Sequence, residues 1–345
     1  MASKPNVKIG IVGASGLVGS ELINILHKNN YKNIKACASD IRIGNYLDNF
    51  TDCENCPIIC KKLDETFFDD VRVVFFCVSS KLSEKWATVA QRKGVVVIDG
   101  SSAFRMDDNV PLVLAGVNDN IIDNTTMLIA SPNCCASLMC MVLKPLLLLS
   151  NIDNLVISTY QAISGAGIGA IEEELNQAVQ TIEYKTPHLT PQFFPSVIFR
   201  NCFSHDSPMD SETGYNEEEL KIISETQKIL NKQFNISATC IRCPFARSHC
   251  ISMTINFEQN ISLDNVVRCL NEFPGVIVQD DREHNSFPEP LKSEHLTDVF
   301  VGRIRKDIND KSGKTYHMFI SGDQLLKGAS YNMFEIFERC LTVNC

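Results

Sequence analysis

The segment VKIGIVGASGLVGSELINILHKN, residues 7–29, constrains the fold of this chain more than any other. A buried-strand pattern passes through a glycine turn into a pattern with helical period. Gly10, Gly13, Gly16 and Gly19 recur at every third position. Glycines between a strand and a helix let backbone amides approach a phosphate beside the positive helix end. In that setting the turn predicts a dinucleotide site built from Gly10, Gly13, Ala14, Ser15, Gly16, Leu17 and Val18; the plainer alternative is a tight turn without a ligand.

The rest of the first part agrees with that start. Strand-like runs at IKACAS, VRVVFFCVSS and VVVIDGSS, with the helical KLSEKWATVAQRKG between the last two, predict a Rossmann-like, doubly wound parallel sheet. After residue 133 the pattern changes. Longer strands at NLVISTYQAIS, ATCIRCPF, CISMTINFE and YHMFISGD, separated by helices such as EEELKIISETQKILN, predict a second α+β domain with a mixed sheet. LLKGASYNMFEIFERCL reads as a helix that returns to the first domain. A chain of 345 residues exceeds the usual single-core size, and the expected division is 1–133 with 326–345 against 134–325.

Charge and cysteine content narrow the class. A net charge of -9 without a basic cluster argues against nucleic-acid or anionic-membrane partners. The sequence shows no secretory signal and no run long enough to span a bilayer. Fifteen cysteines in such a chain fit reduced thiols and a cytoplasmic location. CENC at 53–56 lacks a second CxxC or a compact His/Cys group, so it reads as a solvated loop and no metal is expected. After the second strand, CASDIRIGN offers Ser39, Asp40 and Arg42. Arg42 favours NADP through a 2′-phosphate, while Asp40 leaves NAD open.

Three stretches carry candidate chemistry. IASPNCCASLMC places thiols at a strand-to-helix turn, where the helix dipole and free amides stabilise a thiolate. Cys134 is first in line and Cys135 and Cys140 pack the helix, although sequence does not decide between the first two, and both also suit a buried core. IRCPFARSHC sets Arg242 and His249 around a hairpin-like segment that would aim both at one cleft. There the imidazole moves protons and the guanidinium grips a carboxylate through two parallel bonds. GYNEEELKIISET puts Glu218 and Lys221 on one helix face, either as an intrahelical pair or as contacts to an amino-acid-like phosphorylated substrate.

Taken in order, GIVGASGLVG, GSSAFR, SPNCC, TYQAISGAG, EELK, RCPFARSH, FVGRIRKD and LLKGASYN closely resemble the aspartate-β-semialdehyde dehydrogenase family, from about residue 7 to residue 335. The resemblance implies an NADP-dependent, reversible reductive dephosphorylation of aspartyl phosphate to aspartate semialdehyde through a cysteine thioester, within lysine, threonine and methionine biosynthesis. It implies Cys134 as nucleophile, His249 as acid/base and Gln161 as the group orienting the thioester or hemithioacetal. Arg242 would bind the substrate carboxylate and Glu218 its ammonium, with Arg105, Asn133 and Lys221 on the phosphate. Ser39, Ser79, Ser164, Gly165 and Asn332 would join the glycine loop at the cofactor. A homodimer or homotetramer built through the second domain is expected. Several positions depart from the family pattern: Cys135 where serine or threonine is usual, Cys250 and Ile251 after the histidine, Gly116 in place of a glutamate, and a cofactor-segment arginine shifted by one. Two rival readings are N-acetyl-γ-glutamyl-phosphate reductase, whose substrate lacks the ammonium that Glu218 would meet, and a silent relative kept as a binding partner.

Overall fold

A computed structural model describes residues 7–39, 43–47, 58–183 and 189–343. Asp40, Arg42 and the CENC stretch lie outside the described residues. The chain divides into two compact units, Met1–Asn133 with Ala329–Cys345, and Cys134–Gly328.

In the first unit, strands β1 (Ile9–Val12), β2 (Ile34–Cys37), β3 (Cys60–Lys61), β4 (Val73–Phe76), β5 (Val96–Asp99) and β6 (Leu128–Ala130) form one sheet in the order β3-β2-β1-β4-β5-β6. Every pairing in it is parallel. All residues of β1, β4 and β5 are buried, as a parallel sheet covered on both faces requires. Helices α1 (Leu17–Lys28), α2 (Ser80–Arg92) and α8 (Tyr331–Val343) supply cover. Phe337 of α8 meets Tyr31 at 5.0 Å and Phe75 at 5.8 Å between ring centroids, which fastens the C-terminal helix to this unit. The predicted helix over 325–341 is broken: a π turn, Leu326–Ser330, precedes α8.

In the second unit, helices α3 (Cys134–Leu146), α4 (Ile168–Glu183), α5 (Glu217–Leu230), α6 (Leu263–Glu272) and α7 (Pro290–Ser293) surround strands β7 (Ile152–Gln161), β8 (Phe203–Ser204), β9 (Asn235–Arg242), β10 (His249–Phe257), β11 (Val276–Val278), β12 (Val299–Lys306) and β13 (Thr315–Gly322). Their order is β11-β12-β13-β10-β7-β9-β8. The sheet is mixed: β7 pairs parallel with β9 and antiparallel with β10.

That order corrects the hairpin expected around IRCPFARSHC. The ten-residue β7 takes the place between β9 and β10, so residues 243–248 cross over it. The register sets the site. Gln161 pairs with Arg242, and Tyr160 with Cys250, so the end of β7, the end of β9 and the start of β10 meet at one end of the sheet. Among the described residues no helix is long and apolar enough to cross a membrane, and none of the described cysteines is in a disulfide.

Candidate active site

The site in the second unit is assembled from that end of the sheet and the start of α3. Helix α3 is buried almost all round, so it is a core helix whose first residue, Cys134, is half-buried while Cys135 is sealed. The sulfurs of Cys134 and Cys135 and a ring nitrogen of His249 lie within 4.8 Å of one another. Gly328 lets this corner close: a Cβ there would stand 2.9 Å from the Cβ of Cys134.

The two thiols differ in acidity. Cys134 is held well below the ordinary thiol range, first by the S–H of Cys135 donating to it and then by His249, against burial and the Glu218 carboxylate. Burial pushes Cys135 well above that range, and the Cys134 sulfur beside it adds to the rise. Burial likewise raises Cys77 and Cys240 to about 12 and Cys243 and Cys250 to about 11. Among the described cysteines with a displaced acidity, Cys134 alone moves downward, so it is the thiol that ionises most readily.

His249 is fully buried and its Nδ1 accepts the backbone N–H of Ala162 at 3.0 Å. The ring proton of the neutral form therefore sits on Nε2, which has no hydrogen-bond partner of good geometry among the described residues. The preceding Ser248 holds φ +65, an unusual conformation for a residue with a side chain, with its N–H fixed on Gln324 Oε1 at 2.7 Å. Gln324 also donates to Ser164, and Asp323 accepts from Arg247, which fastens the crossover loop around the site.

Gln161, the last residue of β7, donates through Nε2 to Glu218 Oε1 at 3.2 Å. Glu218 is placed by the capping box of α5, in which Asn216 and Glu219 each accept the other's backbone N–H at 3.0 Å. Lys221 leaves this group: it pairs with Glu217 at 3.2 Å and stays one-third exposed, so the predicted Glu218–Lys221 pairing is replaced by an exposed i,i+4 pair.

Arg242 is buried and heavily engaged. Its Nε and Nη2 donate to Asp206 Oδ1 at 3.0 and 2.8 Å, Nη1 donates to Ala162 O at 3.0 Å, and Nη2 donates to His205 Nε2 at 2.8 Å. The open two-pronged fork expected for a carboxylate is thus turned on Asp206. Gly165 sits where both cleft residues converge, since a Cβ on it would lie 3.5 Å from Arg242 Nη1 and 3.7 Å from His249 Nε2. His205, Asp206 and Gly328 were missed by sequence reasoning. Only the glycine of LLKGASYN carried any signal.

In the first unit Gly13 has φ +89, and a Cβ there would collide with Cys77 O at 2.2 Å. Its amide and that of Ala14 donate to Cys37 O, so the turn is locked against the end of β2. Gly10 differs from expectation: it lies inside β1 with Val71, Val74 and Phe67 at 3.1 to 3.2 Å from its missing Cβ, which makes it a packing glycine. Arg105 is buried, with Nε on Ser131 O at 2.9 Å and Nη2 on Gly100 O at 2.8 Å. Asn332 is also spent on backbone and hydroxyl: its amide donates to Val113 O and Ser131 Oγ and accepts from Ala115 N. Ser39 and Ser79 are exposed, and Asn133 is buried immediately before the thiol.

Comparison with known proteins decides the family. Residues 8–125 match the model described as semialdehyde dehydrogenase, NAD binding domain, and residues 143–327 match semialdehyde dehydrogenase, dimerisation domain. The aspartate-semialdehyde dehydrogenase of Campylobacter jejuni is 37% identical over 341 residues, covering 97% of each chain. The chain belongs to the aspartate-semialdehyde dehydrogenase family. A crystal structure of aspartate semialdehyde dehydrogenase II from Vibrio cholerae, complexed with ASA, shares 28% identity at a TM-score of 0.90, covering 98% of this chain and 99% of that one. The Candida albicans enzyme of the family, solved with NADP, has the same fold at 21% identity and a TM-score of 0.73, covering 97% and 99%.

Proposed function

We propose that this chain interconverts β-aspartyl phosphate and aspartate β-semialdehyde with NADP, using Cys134 as nucleophile. The observation that carries the reading is the acidified, half-buried Cys134 beside a ring nitrogen of His249, at the end of the sheet where Gln161 and Arg242 finish their strands.

The first unit fits a dinucleotide. The turn at Gly13 has no room for a side chain, and the first amides of α1, at Leu17 and Val18, have no partner within the helix. Ala14, Ser15, Gly16, Leu17 and Val18 would hold the pyrophosphate, with Ser39, Ser79, Ser164, Gly165 and Asn332 contributing and Gly10 packing behind the turn. When bound, the dinucleotide supplies the hydride equivalent that reduces the thioester.

In the acylation step the Cys134 thiolate forms a C–S bond to the acyl carbon and the C–O bond to phosphate breaks. A thioester accepts hydride more readily than a carboxylate, which is the use of the covalent intermediate. After reduction the C–S bond breaks and the electron pair returns to the Cys134 sulfur. His249 would hold a proton at Nε2 toward the charge that develops there, and Cys135 would steady the thiolate. Gln161 would orient the acyl oxygen, Glu218 would meet the ammonium and Arg242 the carboxylate. Arg105, Asn133 and Lys221 would serve the phosphate, and Lys221 would turn to it from Glu217.

The second unit would build a homodimer or homotetramer, in keeping with its family description, and a cytoplasmic setting would keep these thiols reduced. The test is trapping. Incubation with aspartate semialdehyde and NADP without phosphate should leave an acyl group on the peptide bearing Cys134. An adduct on another cysteine, or none, would contradict the assignment.

A further inference from the structure

Arg242 can only donate, so the 2.8 Å contact between its Nη2 and His205 Nε2 requires that nitrogen to be unprotonated. The backbone N–H of Ser207 also points at Nδ1 from 3.2 Å, but the shorter contact with the charged guanidinium decides the tautomer, so the ring proton is on Nδ1, where the Ser207 hydroxyl stands 3.2 Å away. Ser207 Oγ in turn accepts the backbone N–H of Glu218 at 3.2 Å. A continuous chain therefore runs from Arg242 through His205 and Ser207 to the first turn of α5. The backbone N–H of His205 is itself tied to Cys240 O at 2.9 Å, two residues from Arg242 on the same strand.

We propose that His205 is a positioning and specificity residue: its neutral imidazole fixes the spacing between Arg242 and Glu218, and so selects a substrate carrying a carboxylate and an ammonium on adjacent bonds. The proposal rests on the function given above. Asp206 completes it by holding the other edge of the guanidinium. Burial and the Arg242 charge keep the imidazole neutral, against the charges of Glu218, Asp206 and Cys134 that face it. Protonation would remove the acceptor that Arg242 uses, so KM for the amino-acid substrate should climb on the acid side, below the ordinary histidine range, with kcat less affected.

The experiment compares wild type, His205→Ala and His205→Gln in phosphate-dependent oxidation of aspartate semialdehyde across pH. Loss of a hydrogen bond to a charged group predicts that alanine raises KM by about tenfold to a hundredfold. Glutamine presents an oxygen near the Nε2 position, so it should recover most of that loss and abolish the acid-side climb. Equal KM values in wild type and alanine variant, or an acid limb that survives in the glutamine variant, overturn the proposal. A second measurement stands apart from activity: 15N spectra of histidine-labelled protein, assigned with His205→Gln, should show an unprotonated Nε2 and a protonated Nδ1 at neutral pH. The opposite tautomer or an imidazolium overturns the contact. Absence of wild-type turnover would overturn the functional reading and the substrate role of His205 with it, while the spectra would still decide the Arg242 link.

Discussion

Cys134 and Cys135 are identical in chemistry and one peptide bond apart, yet only the first is partly accessible and acidified. Cys134→Ser should abolish turnover and leave cofactor affinity nearly intact, because an alcohol lacks thiolate nucleophilicity and the glycine turn is untouched. Cys135→Ser should be mild, since a hydroxyl still donates to the thiolate. Cys135→Ala should shift the pH midpoint of Cys134 alkylation upward, because the largest acidifying contact is gone. Arg242→Lys should lower kcat/KM by on the order of 2 to 4 kcal/mol of transition-state stabilisation, since one ammonium cannot serve Asp206, His205 and Ala162 O together. Unchanged kinetics would remove Arg242 from the substrate site. The thiol pair, the imidazole and the guanidinium were legible as local patterns. The choice between the thiols was not, because it depends on which side of α3 faces the core. His205 and Asp206 were illegible, because β8 brings them to Arg242 from 36 or more residues away.

At the level of elements, the alternation of strands and helices up to residue 133 was readable because parallel strands buried on both faces are short continuous apolar runs. The second sheet was readable as mixed, but its order was not. Two strands separated by a short loop suggest a hairpin, and here β7 intervenes because its long alternating face pairs with both. The Glu218–Lys221 pairing gave way for a related reason: i+3 and i+4 partners compete on one helix face, and the exposed Glu217 holds the lysine. The β1–α1 turn makes a sharp prediction. Gly13→Ala must accept both a positive φ and a Cβ 2.2 Å from Cys77 O. It should cost on the order of 1 to 3 kcal/mol in thermal or denaturant unfolding and weaken dinucleotide binding in calorimetry. Wild-type affinity and stability would show that the turn carries neither role.

At the scale of the molecule, the chain divides at Asn133 and returns to the first unit at Ala329, whereas the sequence expectation set its break near residue 133 and its return at 326. The cofactor segment 40–42 lies outside the described residues, so the preference for NADP rests on its chemistry and on the family. A steady-state assay addresses the proposed reaction directly. The wild-type chain should oxidise aspartate semialdehyde only when inorganic phosphate is present, faster with NADP than with NAD, and should leave N-acetylglutamate semialdehyde essentially untouched because that substrate has no ammonium for Glu218. Turnover that ignores phosphate, or that favours the acetylated substrate, would contradict the account.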